Sequence, residues 1–178
     1  MTGVMGSGAG SGAAGPGVEV RFAGPSDIDS IWEMLHALAV YEKLEPYLTG
    51  SAEALGRDLF GSNPKLECLV AERDRRLIGY ALFFPTYSSF RTRGTMWLED
   101  LFVKPEARGS GAGRALLARL SKLCLERGCY RLAWDVLDWN QSSIEFYERM
   151  GASRNPVSWF NYTLDQAGMR ALTERGTG

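Results

Sequence analysis

Residues 108–113, with the sequence RGSGAG, have the types and spacing of residues that bind an anion. They follow an apolar run at 95–103 and precede a stretch in which Leu116, Leu120 and Leu123 recur at helical spacing. Glycines at such a junction let the backbone approach a ligand and aim several amide N–H groups at one point, where the helix N-terminus adds about half a positive charge. The pattern indicates a site for a phosphate or pyrophosphate group.

Two familiar phosphate-binding motifs do not match this turn. A Walker loop needs a Gly-Lys-Ser/Thr sequence, and none follows. The dinucleotide fingerprint needs a later glycine that is missing here, because Gly109, Gly111 and Gly113 fall at every second residue. The remaining pattern is Arg108-x-x-Gly111-x-Gly113 after a buried strand, and taken alone it also fits a plain strand-to-helix connection.

Two carboxylates, Glu99 and Asp100, interrupt the apolar run that precedes the turn. The run is apolar on both alternating faces, which is typical of a central strand covered on both sides. Burial of a carboxylate in that position costs free energy unless the group has partners or serves a function, and the carboxylate attracts a cation. An ion pair of Glu99 with an arginine is the structural alternative to a role in catalysis or substrate binding.

Composition narrows the functional class of the chain. Its 178 residues, 45% of them hydrophobic, fit one domain at 18–178, preceded by a flexible tail at 1–17 that is almost wholly Gly, Ala and Ser. A net charge of -1 gives no general attraction to nucleic acid or to anionic membranes. Apolar runs are far shorter than the ~18 residues that span a bilayer, and no cationic-then-apolar leader opens the chain, so we expect a cytoplasmic protein.

The cysteines and the histidine do not form a known reactive or metal-binding motif. Cys68, Cys124 and Cys129 are odd in number and lack CxxC spacing, and His36 is the only histidine. The sequence therefore predicts no metal site and no Cys-His catalysis. The cysteines are expected to be small core residues, and His36 to be a partly covered helix residue beside an apolar stripe.

Hydrophobic periodicity and turn residues predict the order βααβββαβαβ, followed by a terminal helix, with no internal repeat. Strands are expected at 18–23, 66–72, 77–84, 95–103, 131–136 and 157–163. Helices are expected from 25, at 51–60, from 114 to Gly128, between a Ser142/Glu145 capping box and Gly151, and at 166–174. Pro85 is expected to end the third strand, before a loop at 87–94.

Four separated segments together resemble the diamine acetyltransferase branch of the GNAT superfamily of acyl-CoA-dependent N-acyltransferases. They are LED at 98–100 with FV at 102–103, the turn RGSGAG, DWNQ at 138–141, and FY at 146–147 with GA at 151–152. The sequences VLDWNQ at 136–141 and YEKL at 41–44 are most similar to members that acetylate thialysine and related small amines. The resemblance extends over nearly all of residues 18–175.

The resemblance implies the GNAT fold, an α/β (α+β) domain with a mixed, mostly antiparallel sheet of about six to seven strands and helices on both faces. It also implies a homodimer, and acetyl-CoA as the donor, with main chain holding the pantetheine arm and the glycine turn holding the pyrophosphate. In such enzymes the central strand parts from its neighbour near the thioester, often at a bulge. The implied cofactor-binding residues are Leu101, Phe102, Val103, Arg108, Gly109, Ser110, Gly111, Ala112, Gly113, Arg114, Asn140, Ser143 and Tyr147.

The resemblance further implies direct attack of an amine, without a covalent enzyme intermediate. An aliphatic ammonium has a pKa of ~10.4 and must lose a proton before it attacks, and Glu99, directly or through a water, is the candidate acceptor. Tyr147 is the candidate donor of a proton to the leaving CoA sulfur. Without the resemblance, a tyrosine at that point of a short helix would indicate a core aromatic residue. A main-chain N–H of residues 101–103 would hold the oxyanion.

The residues implied in amine binding are Tyr41, Glu42, Glu99 and Asp100. Glu42 equally fits a solvated surface charge. The loop at 153–158 contains no carboxylate, and serines at 88–89 stand where polyamine-specific relatives commonly carry an acidic residue. A lysine-like amino acid or a short diamine therefore suits the site better than a polyamine. Polyamine (spermidine or spermine) acetylation, a non-catalytic acyl-CoA-binding module and peptide acetylation remain the alternatives.

Overall fold

The computed structural model describes residues 17–157 and 161–175. Within them the chain forms two compact units, one ending at Leu137 and the other beginning at Asp138. The flexible tail expected at 1–17 falls, apart from Gly17, outside the described residues. A single domain at 18–178 stays a prediction.

The first unit contains the sheet. Its strands are β1 (Glu19–Phe22), β2 (Glu67–Arg73), β3 (Arg76–Ser88), β4 (Arg93–Val103) and β5 (Leu132–Ala133), and its helices are α1 (Ile28–Glu42), α2 (Ala52–Phe60) and α3 (Ala112–Glu126). The strands lie side by side in chain order, antiparallel from β1 to β4 and parallel between β4 and β5. The mixed, mostly antiparallel sheet is confirmed, with five strands in the described part of the chain where six to seven are expected.

The second unit contains α4 (Gln141–Arg149) and α5 (Gln166–Arg175). The strand expected at 157–163 is wrong for residues 157 and 161–163, and residues 158–160 lie outside the described part of the chain. Tyr162 and Leu164 expose 89% and 59% of their surface. An alternating pattern stabilises a strand only when one face is buried, and here the apolar side chains face solvent.

Helices pack on both faces of the sheet, as the fold class requires. One core cluster joins α1 and α2 to alternate residues of the strands: Ile31, Met34, Leu38, Leu59, Cys68, Val70, Tyr80, Leu82 and Phe102. Gly79, next to Tyr80 in β3, belongs to the opposite face. A β-carbon at Gly79 would lie 3.4 Å from Leu116 Cδ1 of α3 and 2.7 Å from the Phe102 carbonyl oxygen. Glycine at this position therefore allows the close approach of α3 and β4.

Strand β3 is longer than its sequence suggests. The expected end at Pro85 is wrong, because the strand continues to Ser88 and pairs with β4 through Pro85 and Met96. Strand β2 accompanies β3 only as far as the pair of Glu67 with Phe83. Pro85 thus lies where β3 has one neighbouring strand, a position that tolerates the missing N–H of proline.

An ion-pair network connects β1, β2 and the segment that begins α1. The Arg21 guanidinium contacts both carboxylate oxygens of Asp27, at 2.6 and 3.0 Å, and its Nη2 lies 3.0 Å from Glu72 Oε2. The Gly24 N–H donates to Asp27 Oδ2 at 2.8 Å. The Arg21 guanidinium holds the pKa of Asp27 below its usual value, with a further contribution from the Gly24 N–H.

Candidate active site

Strand β4 loses a neighbour on one edge just before the two carboxylates. It pairs with β5 through Met96 with Leu132 and Trp97 with Ala133. The expected strand at 131–136 is therefore confined to two residues. From residue 98 onward, no strand in the described part of the chain pairs with this edge of β4. The main chain of residues 98–103 thus forms an open edge to which an extended ligand can bind.

A β-bulge lies at the same place on the other edge of β4. Leu82 pairs with Asp100 and Phe83 pairs with Leu98, so Glu99 has no partner across the ladder. A bulge bends the strand and redirects its side chains. Leu98 is buried, Glu99 is exposed and Asp100 is half-buried. The bulge and the open edge meet at the two carboxylates.

Asp100 lies in an acidic and largely buried environment. Burial, followed by the charges of Glu99 and Glu42, raises the pKa of the Asp100 carboxyl to about 7, while the Tyr80 hydroxyl acts in the opposite direction. Burial also raises the pKa of Glu42, the last residue of α1. Three of the predicted amine-binding residues therefore come together in one acidic cluster, and such a cluster favours a bound cation.

Glu99, the predicted proton acceptor, lies on the solvent side of this cluster. Its Oε2 accepts a hydrogen bond from Trp97 Nε1 at 2.9 Å. The partner that the structure shows is thus an indole, not the arginine of the structural alternative. An exposed carboxylate held by a single donor can exchange a proton with water.

Tyr41 brings the end of α1 next to the glycine turn. The Arg108 guanidinium carbon lies 5.1 Å from the centroid of the Tyr41 ring, within cation–π distance. Glu42 follows Tyr41 directly, so the predicted amine-binding segment and the predicted pyrophosphate-binding turn are neighbours. Sequence spacing holds no signal for this contact, because it depends on how α1 crosses the sheet.

Tyr80 belongs to the acidic cluster, although the sequence analysis does not single it out. Its side chain is fully buried in β3, and the hydroxyl has no hydrogen-bond partner among the described residues. It is nevertheless close enough to lower the pKa of Asp100, so it faces the carboxyl without good hydrogen-bond geometry. The available signal was a tyrosine in a buried strand, since a buried phenol normally needs a partner.

The glycine turn has the backbone conformation that its sequence predicts. Gly109 and Gly111 have φ angles of 79° and 86°, in the left-handed region that favours glycine. Gly111 is the N-cap of α3, so the helix begins at Ala112 and not at the expected Arg114. The first N–H groups of a helix lack acceptors within it and carry partial positive charge. With the exposed Arg108 beside them, these groups fit a diphosphate.

The other predicted cofactor residues of the first unit lie at the end of β4 and at the start of α3, before and after the left-handed glycines. Leu101 and Val103 are half-buried and Phe102 is buried, all three at the end of β4 that forms the open edge. The Ser110 hydroxyl oxygen accepts a hydrogen bond from the Ala112 N–H at 3.4 Å. Gly113 and Arg114 fall in the first turn of α3.

The second unit carries Asn140 and Ser143. Asn140 is buried and caps α4, with its Oδ1 accepting from the Ser143 N–H at 3.3 Å and from the Ser142 hydroxyl at 3.2 Å. The expected Ser142/Glu145 capping box is therefore wrong, since the helix begins at Gln141. Asn is a preferred N-cap residue, and it precedes the serine in the chain. Helix capping is thus the task that the structure assigns to Asn140.

Tyr147 lies on α4 with its side chain half-buried. Its ring centroid is 5.2 Å from that of Phe146, in an edge-on arrangement. The left-handed Gly151 follows the helix, as expected. The role of Tyr147 as a proton donor stays a prediction, as do the cofactor contacts of Asn140 and Ser143.

A cavity of about 480 Å3 lies between α2 and the part of the sheet that contains β1 and β2. It is lined by Phe22, Ala23, Leu59, Phe60, Pro64, Lys65, Leu66, Glu67, Cys68 and Pro85. None of the residues predicted for cofactor or amine binding lines it. The cavity and the acidic cluster therefore lie in different parts of the unit. The acidic cluster is the better candidate for the active site, because the pKa values of its carboxyls are raised.

Two features of the described residues concern metal binding and membrane insertion. Across residues 17–157 and 161–175, no group of three or more His, Cys, Asp or Glu side chains is arranged to hold a metal ion. In the same residues, none of the helices combines the length and the apolar character needed to cross a bilayer.

Comparison with known sequences shows the family to which the chain is similar. The sequence model of the acetyltransferase (GNAT) family matches residues 32–152, which include most of α1, the acidic cluster, the glycine turn and α4. Thialysine N-epsilon-acetyltransferase of Sus scrofa is 35% identical over 165 residues, covering 87% of this chain and 96% of the relative. L-ornithine N5-acetyltransferase NATA1 of Arabidopsis thaliana is 28% identical, covering 75% of this chain and 78% of the relative.

Comparison with solved structures supports the fold. An integron cassette protein from the mobile metagenome of V. cholerae superposes with a TM-score of 0.72, over 90% of this chain and 99% of its own. The two sequences are 23% identical, so this likeness concerns the fold alone.

Proposed function

The chain belongs to the GNAT family of N-acetyltransferases, and from this premise we propose that a small primary amine is its substrate. Enzymes of this family use acetyl-CoA. The amine is a thialysine-like or lysine-like amino acid or a short diamine. Relatives named for thialysine and for ornithine, both amino acids with a side-chain amine, support this class.

The observation that carries the proposal is the acidic cluster beside the open edge of β4. Asp100 and Glu42 are both partly buried, which raises the pKa values of their carboxyls and makes a cation a favourable neighbour. We assign the substrate ammonium to these two carboxylates. The adjacent Glu99 is exposed, so it accepts the proton through water and returns it to solvent.

Residues 101–103 and the glycine turn would hold the donor. When bound, acetyl-CoA supplies an activated acetyl group. The N–H groups that begin α3 and the Arg108 guanidinium would bind its diphosphate, and the open main chain of β4 would bind its extended arm and orient an oxyanion. Tyr147 would hold, at its hydroxyl, the proton that a leaving thiolate requires.

The charge pattern supports a short amine over a polyamine. Residues 153–157 contain no carboxylate, so the described part of this loop offers no partner for a second, distant ammonium. The acidic cluster alone can bind the ammonium of a short amine, whereas a polyamine has a further ammonium for which this loop offers no carboxylate.

A thiol-release assay with acetyl-CoA and a panel of amines tests the proposal. Thialysine, lysine, ornithine, short diamines and spermidine are compared by kcat/KM. We expect the amino acids or the short diamines to exceed spermidine by about tenfold or more, since one lost ion-pair partner costs on the order of 1.4 kcal/mol.

Two outcomes of that panel contradict the proposal in different ways. A preference for spermidine would support polyamine acetylation. Firm CoA binding without turnover of any amine would support the non-catalytic acyl-CoA-binding module. Glu42→Gln is the matched variant, because it removes one charge of the amine site and should raise KM for the amine without changing the Kd for CoA.

A further inference from the structure

Tyr80 is a buried polar group that the proposed mechanism leaves without a task. Its side chain has no exposed surface, and its hydroxyl has no hydrogen-bond partner in the part of the chain that the structure describes. A buried hydroxyl without a partner lowers stability, so its presence in the core calls for a reason.

The strand register places Tyr80 diagonally across from Asp100. Tyr80 pairs with Phe102 and Leu82 pairs with Asp100, so Tyr80 and Asp100 are two residues apart on one face of the β3–β4 ladder. Diagonal neighbours on an antiparallel pair are within reach of long aromatic side chains. The Tyr80 hydroxyl is therefore within reach of the Asp100 carboxyl, in agreement with its effect on the pKa of that group.

We propose that Tyr80 is a positioning residue whose hydroxyl donates a hydrogen bond to the ionised Asp100 carboxylate and keeps it charged for the incoming ammonium. This inference rests on the proposed function, because it assumes that Asp100 binds the amine. The hydroxyl is a suitable donor because burial, together with the nearby carboxyls, raises the pKa of Tyr80 well above its usual value. It therefore stays protonated throughout the working range.

Tyr80 differs from the other groups near Asp100 in its effect on the pKa of that carboxyl. Burial raises the pKa of Asp100, and so do the charges of Glu99 on β4 and Glu42 at the end of α1. Cys68 of β2 is a neutral neighbour, since burial raises the pKa of its thiol to about 12. Among the described residues that act on the pKa of Asp100, Tyr80 is the one that lowers it. Without it, Asp100 would stay protonated to higher pH and would bind a cation less well.

The test is the pH dependence of kcat/KM for Tyr80→Phe, which removes one hydroxyl and keeps the ring. We expect the acid limb of the profile to move up by about one pH unit, because a hydrogen bond to a charged group is worth roughly one to two pKa units. At alkaline pH, where Asp100 is ionised in both proteins, kcat/KM should converge, and the Kd for CoA should not change. Tyr130→Phe, at a half-exposed ring stacked with Arg91, is the matched control.

A superimposable acid limb in Tyr80→Phe would overturn the inference and leave the proposed function standing. A wild-type protein without amine activity would instead remove the proposed function. In that case carboxyl 13C NMR, with the Asp100 signal assigned through Asp100→Asn, still decides: equal midpoints in wild type and Tyr80→Phe overturn the inference.

A second variant guards against a failure of Tyr80→Phe to fold. The substitution Tyr80→fluorotyrosine nearly keeps the shape of the side chain and makes its hydroxyl a stronger donor. It should move the Asp100 midpoint and the acid limb in the opposite direction, to lower pH. No movement, or movement to higher pH, would count against the hydrogen bond.

Discussion

Asp27 and Asp100 show how the same side chain is given opposite properties by its surroundings. The guanidinium of Arg21 contacts both oxygens of Asp27 and lowers its pKa. Among the described residues no cation acts on the pKa of Asp100, and burial beside two other carboxylates raises that pKa to about 7. Asp27 therefore contributes to stability as an ion, whereas Asp100 is ionised at a cost to stability and gains a use in binding a cation.

Asp100→Asn should change the pH dependence of folding stability. Between the ordinary pKa of 3.8 and the folded value of about 7, the folded protein binds more protons at this site than the unfolded chain. Stability therefore falls as pH rises through this range, and the variant should remove that fall. Urea unfolding at a series of pH values measures it, and the variant should be more stable than wild type at neutral pH.

Asp27→Asn is the matched control, with the opposite sign. The lowered pKa of Asp27 contributes stability that is present above its unfolded pKa and lost as pH falls through the folded value. The variant should lose about 1–2 kcal/mol at neutral pH, after allowance for the partial exposure of Arg21, and less in acid. Parallel curves for Asp27→Asn and Asp100→Asn would contradict both assignments.

Tyr147→Phe tests the predicted proton donor. Loss of a general acid should lower kcat by roughly 100-fold, while the half-buried ring, which Phe retains, keeps its packing on Phe146. Steady-state kinetics and the Kd for CoA, measured by calorimetry, separate the two effects. Tyr162→Phe is the control, since this ring is 89% exposed. An unchanged kcat would remove Tyr147 as the acid.

At the scale of elements, the strand-turn-helix unit of β4 and α3 owes its geometry to a few local rules. Left-handed glycines at 109 and 111 turn the chain, and the second of them caps α3. Gly128, also left-handed, follows the end of the same helix. Each of these features is encoded within a few residues, which is why the turn and the helix end agree with the sequence analysis.

Gly109→Ala should weaken cofactor binding more than Gly128→Ala. Both glycines have positive φ, at 79° and 66°, and a β-carbon at either would meet no atom within 4 Å. The backbone strain is therefore similar, about 1 kcal/mol in each case. The Kd for CoA should rise roughly tenfold in Gly109→Ala only, because that strain distorts the N–H groups of the proposed diphosphate site. Equal Kd values in the two variants would argue against this site.

At the scale of the whole molecule, the sheet arrangement decides where chemistry can occur. The strands pair in chain order, and α3 connects β4 to the parallel β5. Pairing between those two strands ends at Trp97, one residue before the bulge begins on the other edge. The open edge, the bulge and the acidic cluster therefore coincide, although they come from long-range contacts of β3, β5 and α1.

Gly79→Ala should destabilise this arrangement. The added β-carbon would lie 2.7 Å from the Phe102 carbonyl oxygen and 3.2 Å from Val103 Cγ2, so backbone must shift. We expect a loss of about 1–3 kcal/mol in the free energy of unfolding, measured in urea. Gly94→Ala, where a β-carbon meets no atom within 4 Å, is the control and should be close to neutral. A neutral Gly79→Ala would show that α3 and β4 can move apart freely.

The sequence by itself determined the features that depend on neighbours in the chain. Apolar periodicity located α1 to α3 and four strands, and glycine spacing located the turn, because these signals arise from local conformation. The carboxylates at 99 and 100 identified the strand of the candidate site, since charged groups in an apolar run are costly without a partner or a function.

Tertiary structure decided everything that depends on which elements meet. Strand β3 can continue through Pro85 because only β4 pairs with it there, and β5 has only two residues because its pairing with β4 is that short. The tertiary structure buried Asp100 and brought Glu42 close to it, and thereby raised the pKa of one carboxyl among several of the same type, while Tyr80 acts in the opposite direction. The physical reason is that burial and charge proximity are properties of the assembled sheet and helices, which no short stretch of sequence contains.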